Sequence, residues 1–219
     1  MANTLAPFGF SQFQGTGSAP TYEMVEMPIL YNAGAIYFGD AVVPDTSTAD
    51  GTIKQALASG SSTVALAGIF VGCKYLSVSQ KRTVWSDYWP GSDVASTQSV
   101  LGYVINDPNA QFLCQTSNSN TTATAVTYAK VGQLIGLAVG TGSTANGISG
   151  MTADQYTIGT TATLPFIIRG IYGGNPTSGI PSVGPPGANG TDVASGNNYI
   201  IVGFNNVLTQ GGGARTGIS

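Results

Sequence analysis

The side chains able to do chemistry in this chain are few, and their types and spacing do not build the usual catalytic sets. Histidine is absent, so Ser-His-Asp and Cys-His systems and imidazole-held metals have nothing to form from. Cys73 and Cys114 sit far apart inside apolar, strand-like runs. There a thiol behaves as a small buried hydrophobe, and the pair reads as two reduced core thiols in preference to a disulfide or a zinc site. Glu23 and Glu26 are the only glutamates. An odd spacing puts them on opposite faces of a regular strand, so they read as surface groups and not as the paired carboxylates of a glycosidase. Asp40, Asp45 and Asp50 lack the alternating ligands of a calcium loop and read as turn carboxylates. The glycines between Gly140 and Gly150 have no following Gly-Lys-Ser/Thr to cradle a phosphate. The expectation is a protein that is not an enzyme and holds no metal or cofactor.

Recognition is better served. Both tryptophans fall in one short stretch with a tyrosine: Trp85, Tyr88 and Trp89. Such a cluster supplies large buried area with a polar handle, as in a core plug or a subunit interface. Exposed, the same rings could instead form a carbohydrate platform. Stacking platforms for single-stranded nucleic acid also come with a basic groove. Here Lys+Arg number 7 against Asp+Glu 10, giving a net charge of -3, so no nucleic-acid partner is expected. The second aromatic group is Phe8, Phe10 and Phe13, in a nearly uncharged opening segment bounded by Pro7 and Pro20. Residues 1–20 read as an extended arm laying its phenylalanines on a neighbouring subunit; the alternative is a segment packed on its own domain.

The elements that would carry these rings are strands. Residues 66–115 alternate β-branched and aromatic runs with Gly, Pro, Asn and Asp, the pattern of buried strands joined by tight turns. Tyr22 to Met27 opens the first strand. Ile36 to Val43 forms another around a Gly39-Asp40 turn or bulge, and Asp50-Gly51 marks a hairpin return through Thr52 to Ala58. Val100 to Ile105 is apolar at both parities, as in a central strand, and Asn106-Asp107-Pro108-Asn109 turns it into a hairpin with Ala110 to Gln115. Glycine density over Tyr128 to Val139 favours a strand or a single helical turn over a long helix. Strands over Thr163 to Tyr172 and Tyr199 to Leu208 follow. The reading is all-β: a compact β-barrel or jelly-roll-like domain over 21–210, with an extended N-terminal arm, a long Gly/Pro-rich loop at 173–198 and a flexible tail at 211–219.

Composition sets the setting. The charged fraction is 8% and the hydrophobic fraction 42%, against roughly 25% charged in ordinary soluble domains. So little charge fits a surface that meets other protein over much of its area. No apolar run approaches the ~18 residues of a membrane helix, and the first residues lack the basic and apolar regions of a secretory signal. Assembly in a cytosol is expected, with no membrane partner.

Several short motifs then occur in order: Leu5-Ala6-Pro7-Phe8-Gly9, Gly39-Asp40-Ala41-Val42, Gly68-Ile69-Phe70-Val71-Gly72-Cys73-Lys74-Tyr75, Tyr88-Trp89-Pro90-Gly91 and Ile105-Asn106-Asp107-Pro108-Asn109-Ala110-Gln111-Phe112. In this order the chain resembles the capsid cement, or decoration, proteins among the head structural proteins of tailed double-stranded DNA bacteriophages. The likeness covers roughly the first half of the chain; beyond Gln115 it rests on length and on the closing strand. It implies a compact β domain on the outside of the major capsid protein shell, often trimeric, that clamps capsomers against internal DNA pressure and has no active site. The expected partners are the major capsid protein and further copies of the chain, and the expected location is the virion exterior after assembly in the host cytoplasm. Phe8, Phe10, Phe13, Trp85, Tyr88 and Trp89 are the candidate contact residues. The alternative is a host- or carbohydrate-binding head-fibre or tail module. The major coat subunit is a weaker reading, since no long helix is foreseen.

Overall fold

A computed structural model describes residues 3–15, 24–47, 50–57, 65–98, 100–172 and 195–209. The strands are β1 (Ser11–Gln14), β2 (Val25–Ile29), β3 (Ala41–Pro44), β4 (Ile53–Gln55), β5 (Gly68–Leu76), β6 (Thr83–Ser86), β7 (Val100–Ile105), β8 (Gln111–Ser117), β9 (Leu134–Ala138), β10 (Thr152–Gly159), β11 (Phe166–Ile171) and β12 (Tyr199–Phe204). One short 3-10 turn at Tyr128–Lys130 precedes β9. The protein is all-β, as its residue pattern foresees. The expected tail and most of the expected loop at 173–198 lie outside the described residues.

The strands close into two barrels. β3-β4-β2-β7-β5 form the first, closed by a β3–β5 pairing; β8-β10-β9-β11-β12 form the second, closed by β8–β12. Each ring has five strands, which fixes one detail. Four antiparallel pairings in succession restore the starting direction, so the fifth must be parallel. It is β2–β4 in the first barrel and β8–β10 in the second.

The two barrels also share one connectivity, with β2, β3, β4, β5 and β7 corresponding in order to β8, β9, β10, β11 and β12. A single alignment carries the ladders across. Ile29↔Ile53 matches Thr116↔Ala153, and Val43↔Lys54 matches Gly136↔Asp154. Val42↔Gly68 matches Ile135↔Phe166. Phe70↔Val104 matches Ile168↔Val202, and Val25↔Val104 matches Phe112↔Val202. Even the bulge recurs, between Phe70 and Gly72 in β5 and between Ile168 and Gly170 in β11. The chain is a structural duplication. Two strands lie outside the shared plan: β6 extends β5, and β1 lies antiparallel on β8.

Three sequence expectations change. The turn after β7 does not close a hairpin: β7 belongs to the first barrel and β8 to the second, so Asn106 to Asn109 is the passage between them. β6 and β10 arise in stretches too polar to read as strands. β10 buries Asp154, which accepts bonds from the Ser119 amide and hydroxyl at 3.1 and 2.6 Å, so its polarity is satisfied inside. And residues 3–15 are built into the domain. Phe10 is 1% exposed with its ring 4.5 Å from that of Phe166, its amide bonds Gly39 O at 2.9 Å, and Gln115 fastens the segment through the Ala6 amide and Thr4 carbonyl at 2.7 Å each.

The core follows strand alternation. Val42, Phe70, Cys73, Val104 and Trp89 fill the first barrel. Their neighbours Ala41, Val43, Ile69 and Ile105 face the other way and join Phe112, Cys114, Phe166 and Val202 in one apolar mass. β3, β5 and β7 are therefore apolar at both parities because the second barrel covers their outer side here. Burial of this kind contributes about 25 cal/mol per Å², and it welds the barrels into one body.

Candidate interaction face

Where the second barrel does not cover it, the outside of the first barrel remains apolar. On β6, Val84 packs toward the core and Trp85 points out, 65% exposed. On β5, Tyr75 is buried and its neighbour Lys74, opposite Trp85 in the ladder, points out. On β7, Val104 is buried and Tyr103 is half-buried outward. The period of two brings these outward groups together. The Trp85 and Tyr103 rings stack at 5.8 Å and 6°, and the Lys74 ammonium lies 4.7 Å from the Trp85 ring centre, within cation–π range. Glu26 pairs with Tyr103 across β2 and β7. Partial desolvation first, then this carboxylate, holds the Tyr103 phenol above its ordinary range, so it stays a neutral donor.

Trp85 and Tyr103 border a shallow cleft of about 350 Å³, with Met24, Val71, Gly72, Cys73, Ser86 and Asp87 in the rest of its wall. Met24, Val25, Leu76 and Val78 add exposed apolar surface on the same barrel. Burial, followed by the Asp87 charge, pushes the Cys73 thiol up to about 12, and the thiol donates to Tyr88 O at 3.4 Å. A thiol in that state is not a thiolate at neutral pH. The arrangement suits holding an apolar or planar group against the Trp85 and Tyr103 rings.

The trio Trp85, Tyr88 and Trp89 does not act together. Trp89 is fully buried as a plug of the first barrel, edge-on to Tyr75 at 5.0 Å, and its indole N–H donates to Ala33 O at 3.3 Å. Tyr88 stacks on Tyr37 at 5.7 Å and contacts Gly147, at the junction with the second barrel. Trp85 is the most exposed of the three, Tyr88 is half-buried and Trp89 is closed off. The phenylalanines divide similarly: Phe10 is core, while Phe8 and Phe13 are half-buried against Tyr199 at 5.8 Å and Tyr172 at 5.7 Å. Phe10 thus has no ring surface left for a neighbouring subunit. Sequence reading passed over Tyr103, Lys74 and Met24; the available signal was the double apolar parity of β7, which fits an exposed apolar face as well as a buried one.

A second cleft, of about 430 Å³, lies at the barrel junction and is bordered by Leu30, Tyr37, Lys54, Gln55 and Gly142. The Lys54–Asp45 ion pair, at 2.8 Å, stands at its rim. Hydrogen bonds from Lys54 and then Ser47 lower the Asp45 carboxyl to about 2. No family model, curated protein or solved structure matches the chain.

Proposed function

We propose that this protein is a non-enzymatic virion structural protein: a capsid cement or decoration protein that binds the outside of the major capsid protein shell, as a homotrimer, and stabilises it against internal DNA pressure. The observation that carries the reading is the exposed Trp85–Tyr103 face on a rigid barrel wall. Large apolar rings left in water on a stiff scaffold are the hallmark of a contact surface. The low overall charge and the ordered resemblance of the first half to cement proteins support the same conclusion. Phe8 and Phe13, half-covered on the second barrel, could add secondary contacts.

The test is attachment to expanded heads that lack this protein, followed by cosedimentation and cryo-electron microscopy. Wild type should decorate the outside of the shell, and Trp85→Ala should lose at least about tenfold in affinity, as hot-spot aromatics do. Because Trp85 is 65% exposed and loses only its Tyr103 stack and Lys74 contact, the same change should lower stability by about 1–2 kcal/mol and leave the chain folded. Failure of the wild-type chain to bind heads would end the cement reading.

The exposure of Trp85 also favours one other reading, a host- or carbohydrate-binding head-fibre or tail module, because sugars stack on open indole faces. Glycan-dependent quenching of Trp85 fluorescence, with no head binding, would select it.

A further inference from the structure

The duplication exposes an asymmetry between the barrels. On the second barrel, the outer edge of β8 is covered by β1, with Ser11↔Leu113, Gln12↔Phe112 and Gln14↔Gln111 in antiparallel register. The alignment of the ladders equates Gln111, Phe112 and Leu113 with Met24, Val25 and Glu26. On the first barrel, among the described residues, nothing pairs with that stretch: β2 meets β7 along one side, and on the other only Ile29 reaches β4. Met24 and Val25 are 49% and 43% exposed.

We infer that the Met24–Glu26 edge of β2 is a strand-addition site that takes an extended segment of another polypeptide, running antiparallel to β2. The second barrel supplies the pattern for the occupant. β1 is uncharged, extended and flanked by phenylalanine, and it satisfies the edge amides and carbonyls of β8 while placing Phe10 on the core. An incoming strand of the same chemistry would pair with the free main-chain groups of β2, the mode of β-augmentation. Its outward side chains would come to lie beside Met24 and Glu26, with Tyr103 one strand further on across β2. Opposite Glu26 a basic or hydroxyl side chain is favoured and an acidic one is penalised. Pro28, which has no amide hydrogen, limits how far such pairing extends along β2. A second copy of the chain fits less well. Antiparallel pairing of two β2 edges about Val25 would set both Glu26 carboxylates on one face of the new ladder, where like charges repel.

The test is independent of the virion reading. Full-length Met24→Cys is joined by a disulfide to a synthetic peptide with the Phe8–Gln14 sequence and a flexible Cys-Gly-Gly leader. The tether raises the effective concentration to about the millimolar range, and the native thiols are both buried. Amide hydrogen exchange should slow by about tenfold or more at residues 24–26. A peptide N-methylated at alternate residues should give no such protection. Equal exchange in the two adducts would overturn the inference, as would changes confined to β8, which would mean that the peptide only displaces β1. An unmodified chain that sediments as a dimer, dissolved by the tether, would assign the edge to a second copy and also overturn it. Head attachment with no protection at residues 24–26 would leave the cement reading standing and remove this one.

Discussion

Phe10→Ala separates an arm made for a partner from a segment that belongs to the fold. The ring is 1% exposed, stacks on Phe166 at 4.5 Å and sits in the apolar mass shared by both barrels. Removing a buried phenylalanine costs about 3–5 kcal/mol, the lost transfer energy plus the cavity that remains. Against a typical total of about 5–15 kcal/mol, that is a large share. With a urea dependence of about 2–3 kcal/mol per molar, the unfolding midpoint of the isolated chain should fall by roughly 1–2 M with little change in slope. Phe8→Ala and Phe13→Ala, whose rings are half-buried, should each cost about 1–2 kcal/mol. If residues 3–15 served only a neighbouring subunit, Phe10→Ala would leave the free chain within about 0.5 kcal/mol of wild type. A loss under about 1 kcal/mol would therefore refute the packing described. By the same logic, deleting residues 1–14 should unfold the protein and not merely detach it from a partner.

Two further expectations rest on single sites. Gly68→Ala should cost about 2–4 kcal/mol in urea melts, because Gly68 has φ +150° and a β-carbon there would stand 2.3 Å from Ile105 O. Gly170→Ala, with nothing within 4 Å of the added carbon, should stay within about 0.5 kcal/mol; equal losses would contradict the packing. Asp40 is fully buried and accepts from Ser149 Oγ at 2.5 Å and from the Tyr37 amide and Gln55 Nε2 at 2.7 Å each. Desolvation outweighs these bonds and raises its carboxyl above the ordinary 3.8. The folded state then holds the proton more tightly than the unfolded chain, so the contribution of Asp40 is greatest below 3.8 and declines as pH rises through the folded value. Ser149→Ala removes a donor that favours the charged form, so its stability deficit should widen as pH rises above 3.8 and through the raised folded value. A deficit flat across that range would show that Asp40 does not feel the hydroxyl.

The strands legible in the sequence are those whose apolar residues recur without polar interruption. β7, β11 and β12 lie inside stretches expected to be strands, and β5 and β8 overrun theirs by one and two residues, to Leu76 and Ser117. β10 was not legible, because Asp154, Gln155 and the threonines that line it look like loop residues until Ser119, Thr116 and Thr124 supply their partners. The duplication was not legible either. Equivalent positions such as Glu26 and Leu113, or Val71 and Arg169, share a place in the fold but no chemistry, because one member of each pair faces water where the other is packed on protein. What persists is the bulge, with a glycine after it at Gly72 and Gly170, and apolar groups at Ile69 and Ile167; only at Gly72, with φ +145°, does the backbone itself demand glycine.

The candidate site shows the same division. That Trp85, Tyr88 and Trp89 would matter was legible from type and clustering; which way each points was not, because it depends on strand phase. β6 pairs Lys74 with Trp85 and Tyr75 with Val84, and that register alone puts Trp85 outside. After Ser86 the chain leaves the ladder, so Trp89 can turn inward and bridge to Ile36. A one-residue slip of β6 would exchange the inner and outer sets, burying Trp85 and exposing Val84. The stacked Trp85–Tyr103 pair and the Lys74 contact both favour the observed register. The features that leave this face open are therefore those that fix its geometry. Among the described residues nothing pairs with β2 at Met24–Glu26 on the side away from β7, so one strand laid on that edge would extend the aromatic face without rearranging either barrel.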